Sequence, residues 1–319
     1  MTTRLLAFAA IVATAVATPA LAQDRTIKLQ VPFPPGGGTD ILSRIVAPKL
    51  SERLGQPVVV ENRPGAGGAI GARYTAAAAP DGQTIMMGSI SEISINPHIN
   101  PKIGYDIWKD FAFIGAVAYT PMTLVVHPSV PAKDVKELIA IAGARPGALN
   151  YGSGGAGSGS HMGAELFRYL TRVDITHVPY KGVGPAVADT VAGQVQMTFT
   201  TLPSAVSFVR SGQLRSLATA GTQRAPQLPD VPTFVESGVP EYLMDYWYCL
   251  VAPAATPKEI QARLNGALRE VMRMPDVGAS LDKSGLVPLN MTADEFVAYL
   301  RKDSERWAAV VKAAGIKAE

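Results

Sequence analysis

The 319-residue chain carries 29 Lys and Arg against 26 Asp and Glu, a formal net charge of +3 at pH 7, and a single cysteine. A balance this even, without a basic cluster, excludes a nucleic-acid footprint, and one cysteine excludes an intramolecular disulfide. The length allows a large buried core, as one big domain or two lobes.

Met1 to Arg4 precede the apolar run Leu5 to Ala13, and Ala20-Leu21-Ala22 supplies an A-x-A cleavage site, so residues 1–22 read as a secretory signal peptide. That run is too short to span a bilayer, and no later stretch approaches the roughly 18 apolar residues a membrane helix needs. The mature chain is expected in the periplasm, soluble and monomeric.

The segment Leu29 to Asp40 reads as strand, turn and helix in twelve residues. Pro34 and Pro35 stiffen the turn, while Gly36, Gly37 and Gly38 permit φ > 0 and close approach to a ligand. Thr39 is the expected N-cap of a helix carrying Ile41, Leu42, Ile45, Val46, Leu50 and Leu54 at helical spacing, with a kink at Pro48. A helix N-terminus of this kind attracts anions. A second such unit follows: strand Pro57 to Glu61, glycine loop Asn62 to Gly68, helix Ala69 to Ala79. Thr84 to Ser89 is a third strand, entering a polar loop that runs to Asn96-Pro97. Strands alternating with helices predict a mainly parallel sheet covered on both faces.

Further on, a strand is predicted at Met122 to His127 between Pro121 and Pro128, and a helix at Lys133 to Ala142. The glycine theme returns at Leu149 to Ser160, which leads from a strand into a helix at His161 to Leu170. Strands follow at 175–180, 195–199 and 214–219, with a helix at 185–192. Tyr246 to Ala252 reads as a strand crossing back, with Cys249 buried and inert, and helices are predicted at 257–274 and 292–314. The expected architecture is α/β and two-lobed, like a type II periplasmic binding protein, each lobe a mainly parallel sheet flanked by helices, with the ligand cleft between lobes. Its segments are 23–125 for the first lobe, 126–240 for the second, and 241–319 returning to complete the first.

Several chemistries can be weighed against the residues. Gly152 to Gly157 matches G-x-G-x-x-G and raises an exported nucleotide-dependent oxidoreductase; that fingerprint expects an acid closing the next strand, whereas Asp174 precedes it. Ser153, Ser158 and Ser160 lie near His161, but Tyr151, Ala156 and Ser158 stand where a nucleophile elbow needs its first glycine. His98, His127, His161 and His177 have no second ligand at i+3 or i+4, so no metal site is expected. What remains is three loops offering N–H groups at helix starts, two in one lobe and one in the other. Four to six charge-assisted hydrogen bonds, each about 1.5–3 kcal/mol, support micromolar capture of an acid with two carboxylates.

The motifs Val31 to Asp40, Glu61 to Gly68, Tyr151-Gly-Ser153, His177 to Gly182 and Asp230 to Phe234 together resemble the Bug-type receptors of the tripartite tricarboxylate transporter family. The resemblance implies a periplasmic solute-binding receptor that closes on a carboxylate and passes it to a membrane permease, with no cofactor and no catalysis. A sensor kinase is the alternative partner. Carried over, the ligand-binding positions are Phe33, Gly36, Gly37, Gly38 and Asp40 in the first loop, Ala66 and Gly67 in the second, and Ser153, Gly154, Gly157 and Ser158 across the cleft. Thr39, Gly68, Ser89, His161 and Thr200 complete the expected set. The chain departs from many relatives in having Glu92-Ile93 for a Thr-His pair, and Gln196 and Thr200 for two aspartates. Those neutral positions favour a dicarboxylate over an amino acid, unless Glu92 points into the cleft and pairs with an amine. Tyr246, Trp247 and Tyr248 read equally as an aromatic wall of the cleft or as core.

Overall fold

The computed structural model describes residues 26–316, so the predicted signal peptide lies outside the described residues. β1 (Ile27–Val31) is buried on both faces, apart from Lys28, because it lies between two parallel neighbours. α1 (Gly38–Leu54) crosses to β2 (Val58–Asn62), and α2 (Ala69–Ala76) crosses to β3 (Thr84–Ser89). Leu29 sits in register with Val60 on one side and Ile85 on the other. α1 runs past Pro48 to Leu54 and ends on left-handed Gly55.

The stretch predicted as a polar loop is helical: a wide turn at Ser91–Ile95 leads into α3 (Asn96–Ile99). Its polar side chains misled the reading, since Ser91, Glu92, Ser94 and Asn96 are all buried and hydrogen-bonded inside the protein.

β4 (Phe111–Val126) is 16 residues long, far longer than the strand predicted after Pro121. Phe111 to Pro121 pair antiparallel with β9 (Asp245–Pro253), whereas Met122 to Val126 pair with strands of the other lobe. Pro121 stands at the change of partner, where its missing N–H does least harm to the ladder. α4 (Val135–Ala144) follows β4, capped by Asp134, whose side chain accepts from Glu137 N.

The second lobe continues with β5 (Asn150–Ser153), α5 (Gly159–Thr171), β6 (Thr176–Pro179), α6 (Val183–Val191), β7 (Met197–Thr201), α7 (Leu202–Arg210) and β8 (Arg215–Thr219). β5 is parallel to β6 and β7, while β7 and β8 are both antiparallel to β4. After β9 come α8 (Lys258–Met272), α9 (Pro275–Ser284), the short β10 (Val287–Pro288) and α10 (Ala293–Ala314). The main path through the ten-stranded sheet is β2-β1-β3-β9-β4-β7-β5-β6. The outer strands of each half are parallel as expected; the sheet is mixed because β4 and β9 run against their neighbours. Among the described residues, no helix is long and apolar enough to cross a membrane.

α10 opens with a capping box between Thr292 and Glu295 and docks through a buried acid. Asp303 accepts from Trp247 Nε1 at 3.0 Å, Ser94 Oγ at 2.8 Å and Arg306 Nη2 at 2.9 Å. These contacts tie the C-terminal helix to the crossing strand and to the turn after β3. Asp303→Ala strands the buried indole N–H and the Ser94 hydroxyl, and is expected to cost about 2–4 kcal/mol in urea unfolding. Arg306→Ala, which removes only the half-exposed partner, is expected to cost less than about 1 kcal/mol.

Candidate functional site: an interlobe cavity

The first loop is built around Asp40. Its carboxylate accepts from Gly36 N at 3.1 Å, from Arg44 Nε at 3.0 Å and from Asn62 Nδ2 at 2.9 Å, and the same Asn62 amide donates to Phe33 O at 2.9 Å. Asp40 therefore holds the loop from behind. The N-cap of α1 is Gly37, not Thr39, which lies inside the first turn with its carbonyl accepting from Ser43 Oγ. Of the three glycines only Gly36 needs left-handed backbone, at φ +89°. Gly37 is extended, at φ −78°. Gly38 is required for space, because a Cβ there would lie 2.6 Å from Thr201 Oγ1 and against the Tyr248 hydroxyl.

Facing this loop is a cavity lined from both lobes. Seven residues expected from the sequence meet there: Phe33, Gly37, Gly38, Thr39, Gly154, Ser158 and Thr200. Ser160, Gly159 and Val183 of the second lobe, Met122 on β4, and Thr201 join them unpredicted, together with Tyr246 and Tyr248, for which wall and core were equal readings. Three helix N-termini bound the space. α1 starts at Gly38, α5 is capped by Ser158 Oγ, which accepts from His161 N, and α7 starts after Thr201, whose side chain makes no capping bond. First-turn N–H groups have no partner within their helix and carry the positive end of its dipole. α7 was missed, although Thr-Leu-Pro-Ser is a helix-start signal with proline at the first positions. Tyr246 and Tyr248 lie two apart on one strand and so share a face. Thr200 Oγ1 is fully buried and, among the described residues, has no hydrogen-bond partner, while the buried Tyr248 Oη sits beside the Thr201 hydroxyl. No residue lining the cavity carries a charge.

The remaining predicted residues lie around the cavity rather than on it. Ala66, Gly67 and Gly68 form a left-handed turn, at φ 49°, 58° and 95°, under Asn96, whose Nδ2 donates to Ala66 O. Gly67 abuts the other lobe, where a Cβ would come within 2.7 Å of Ala156 O, and Gly157 packs on the same Asn96. Ser153 Oγ pairs with His177 Nε2 at 2.5 Å and accepts from Gly155 N. His161 lies 4.5 Å from His177, ring to ring, and lines a separate groove with Glu165 and Arg168. Gly36 meets Gly184 across the cleft, and a Cβ on Gly184 would sit 2.5 Å from Pro35 O. The lobes are closed on each other. Gly184→Ala is expected to keep the melting temperature while propping the cleft open. The check is small-angle scattering, in which the variant stays more expanded than the wild type at saturating ligand.

Residues 42–316 match the tripartite tricarboxylate transporter family receptor, TctC. The chain belongs to this receptor family. It is 38% identical to Protein BugT of Bordetella pertussis over 321 residues, covering 99% of this chain and 98% of that one. Two solved relatives carry ligands. MatC from Rhodopseudomonas palustris with bound malate is 33% identical, with a TM-score of 0.87 over 90% of this chain and 99% of that one. R. palustris Rpa4515 with adipate is 36% identical, with a TM-score of 0.89 over 92% of this chain and 99% of that one. Membership in the family makes this a solute-binding receptor of the periplasm.

The positions singled out in the sequence at 92, 196, 200 and 246–248 fall in different places. Gln196 is part of the sheet, where its Oε1 accepts from Asn150 N and its carbonyl from His127 N. Thr200 lines the cavity. Trp247 points to the opposite face of β9 and bonds Asp303, so the three crossing aromatics divide into two at the cavity and one in the core. Glu92 is wholly buried and does not line the cavity. Ser89 donates its N–H to the Glu92 carboxyl, and its Oγ is hydrogen-bonded to Glu92 Oε2 at 2.7 Å. Ser89 Oγ lies 3.0 Å from Tyr246 Oη, which lies 2.6 Å from Ser91 Oγ, which accepts from Gly159 N at 2.8 Å in the other lobe. Desolvation pushes the Glu92 carboxyl from 4.5 up to about 8, against the pull of the Ser89 hydrogen bonds.

The native state thus holds a proton that the unfolded chain releases. Glu92 makes stability fall as pH rises from about 4.5 to about 8, the window between its unfolded and folded values. In melting scans across pH 5–8, Glu92→Gln is expected to lose this component, with its largest gain over wild type at the alkaline end.

Proposed function

We propose that this receptor captures a small dicarboxylate, aliphatic or aromatic, in the interlobe cavity and delivers it to the membrane permease of a tripartite tricarboxylate transporter. The observation that carries the reading is an interlobe cavity without charged side chains, bounded by three helix N-termini and by the hydroxyls of Thr200 and Tyr248. Such donors suit carboxylate oxygens. The ammonium of an amino acid would need an anionic partner there, and Glu92 is engaged with Ser89 away from the cavity wall. The malate and adipate held by the two solved relatives support the same ligand class. In this reading the ligand is contacted by Phe33, Gly37, Gly38, Thr39, Gly154, Ser158 and Thr200, with Asp40 and the 66–68 turn shaping the loops. Residues 23–125 and 241–319 form one lobe and 126–240 the other, and the receptor works as a monomer after export by its leader. The protein binds without turnover, metal or cofactor. The Gly152–Gly157 loop supports this, since Ser160 Oγ takes Gly154 N and Ser153 Oγ takes Gly155 N, amides a dinucleotide phosphate would need.

The test is calorimetry and melting, in chelator, on protein unfolded and refolded to strip bound ligand, with succinate, adipate and terephthalate compared with aspartate and glutamate. A dicarboxylate at 100 times its dissociation constant is expected to add about 2.7 kcal/mol of stability. Amino acids binding tenfold more tightly than every dicarboxylate overturn the reading, as does a metal requirement.

A further inference from the structure

Building on the carboxylate reading above, we propose that Glu92 is a positioning residue for ligand recognition: through Ser89 it decides whether the Tyr246 hydroxyl turns its hydrogen into the cavity or back into the protein. The argument is a count of hydrogens along a chain whose links are Glu92 to Ser89 Oγ at 2.7 Å, Ser89 Oγ to Tyr246 Oη at 3.0 Å, and Tyr246 Oη to Ser91 Oγ at 2.6 Å. Each link between oxygens needs one hydrogen, and each hydroxyl has only one to give. When Glu92 is ionised, Ser89 spends its hydrogen on the carboxylate. The link from Ser89 to Tyr246 must then be filled by the Tyr246 hydrogen, and Tyr246 offers the cavity only lone pairs. When Glu92 is protonated, the acid donates to Ser89, Ser89 donates to Tyr246, and Ser91 does the same from its other side. The Tyr246 hydrogen is then free for a ligand carboxylate, and Tyr246 lines the cavity. Ser91 also takes the Gly159 N–H from the opposite lobe, so the chain is complete only when the lobes meet.

The hydrogen bonds from Ser89 and from the local backbone favour an ionised Glu92, and desolvation outweighs them. β9 brings Tyr246, Tyr248 and Cys249, all buried, with Glu92 itself helping to raise each of them. Tyr105 donates to the Glu92 carbonyl at 2.5 Å, with Arg73 of α2 acting on Tyr105. α10 contributes Asp303, held by Trp247, Ser94 and Arg306. The 66–68 turn lays Gly68 against the carboxyl, where a Cβ would sit 3.2 Å from Oε2. Among the described residues no cation pairs with Glu92, and its carboxyl stays protonated up to a pH of about 8. Capture of a carboxylate is therefore coupled to one proton at a site the ligand never touches.

The experiment is calorimetric titration of the stripped receptor with adipate and with malate, whose carboxyl groups are ionised throughout the range, between pH 7 and pH 9 in buffers of different ionisation enthalpy. The wild type is expected to lose roughly tenfold in affinity from pH 7 to pH 9, and to take up about one proton per ligand at the upper end. Glu92→Gln presents an amide N–H to Ser89 in place of the acid proton, so it keeps the pH 7 affinity and loses both the pH dependence and the proton uptake. Tyr246→Phe removes the last link; it is expected to bind roughly tenfold to a hundredfold more weakly at pH 7, with a flat profile. A wild type with pH-independent affinity and no proton uptake overturns the inference while leaving the carboxylate reading intact. Uptake that survives in both variants also overturns it. Failure of every dicarboxylate to bind the wild type overturns the carboxylate reading, and the inference with it.

Discussion

The structure depends on one constraint: two backbones must touch across the cleft. Gly184 meets Pro35 and Gly36, and Gly67 meets Ala156 and Gly157, at distances that leave no room for a side chain on Gly184 or Gly67. Backbone contact of this kind brings N–H groups to the cavity surface without intervening carbon, and backbone donors cost little entropy to place, since the secondary structure already holds them. The stiff Pro34-Pro35 pair and the carboxylate of Asp40 fix the first loop. The second is fixed by serine hydroxyls bonded to its own amides.

Electrostatics follow from the same arrangement. A cavity lined by lysine or arginine would bind anions strongly and with little selectivity. Here the positive potential comes from helix ends, whose partial charges fall away within a turn. Asp40 neutralises part of one such end from behind, through Gly36 N. The result is a site in which geometry, more than net charge, discriminates among acids, and Thr200 and Tyr248 supply directional hydroxyls for that purpose.

Much of this was legible in the sequence because glycine and proline have few structural uses, and their placement at strand ends marks both the fold and the site. Strand-loop-helix units at 29–54 and 57–79 are readable from periodicity together with glycine placement, the second helix ending earlier, at Ala76. Two of the elements absent from the sequence reading share a cause. The helical turn at 91–99 and helix α7 begin in serine, threonine and glutamate, which read as loop residues unless their buried partners are known. The sequence leaves open that Glu92 points into the cleft; no local signal reveals that Ser89 and Tyr246, 157 residues apart, enclose it. Thr39 was read as a cap because threonine commonly is one, yet the chain turns one step earlier, at Gly37. His161 carries the chemistry expected of a site, but helix geometry places it on the face away from the cavity, beside His177.

The long strand β4 and its antiparallel partner β9 have a mechanical meaning. Both lobes hang from one sixteen-residue span that changes neighbours at Pro121. A joint made of two hydrogen-bonded strands behaves as a leaf spring: it flexes across its thin direction and resists shear in its own plane. Any relative movement of the lobes must therefore bend this pair of strands, and the pairing that survives the bend sets which glycines face each other. Registration of the cleft is thus written into the hinge, and the ligand need supply only the energy to keep it shut.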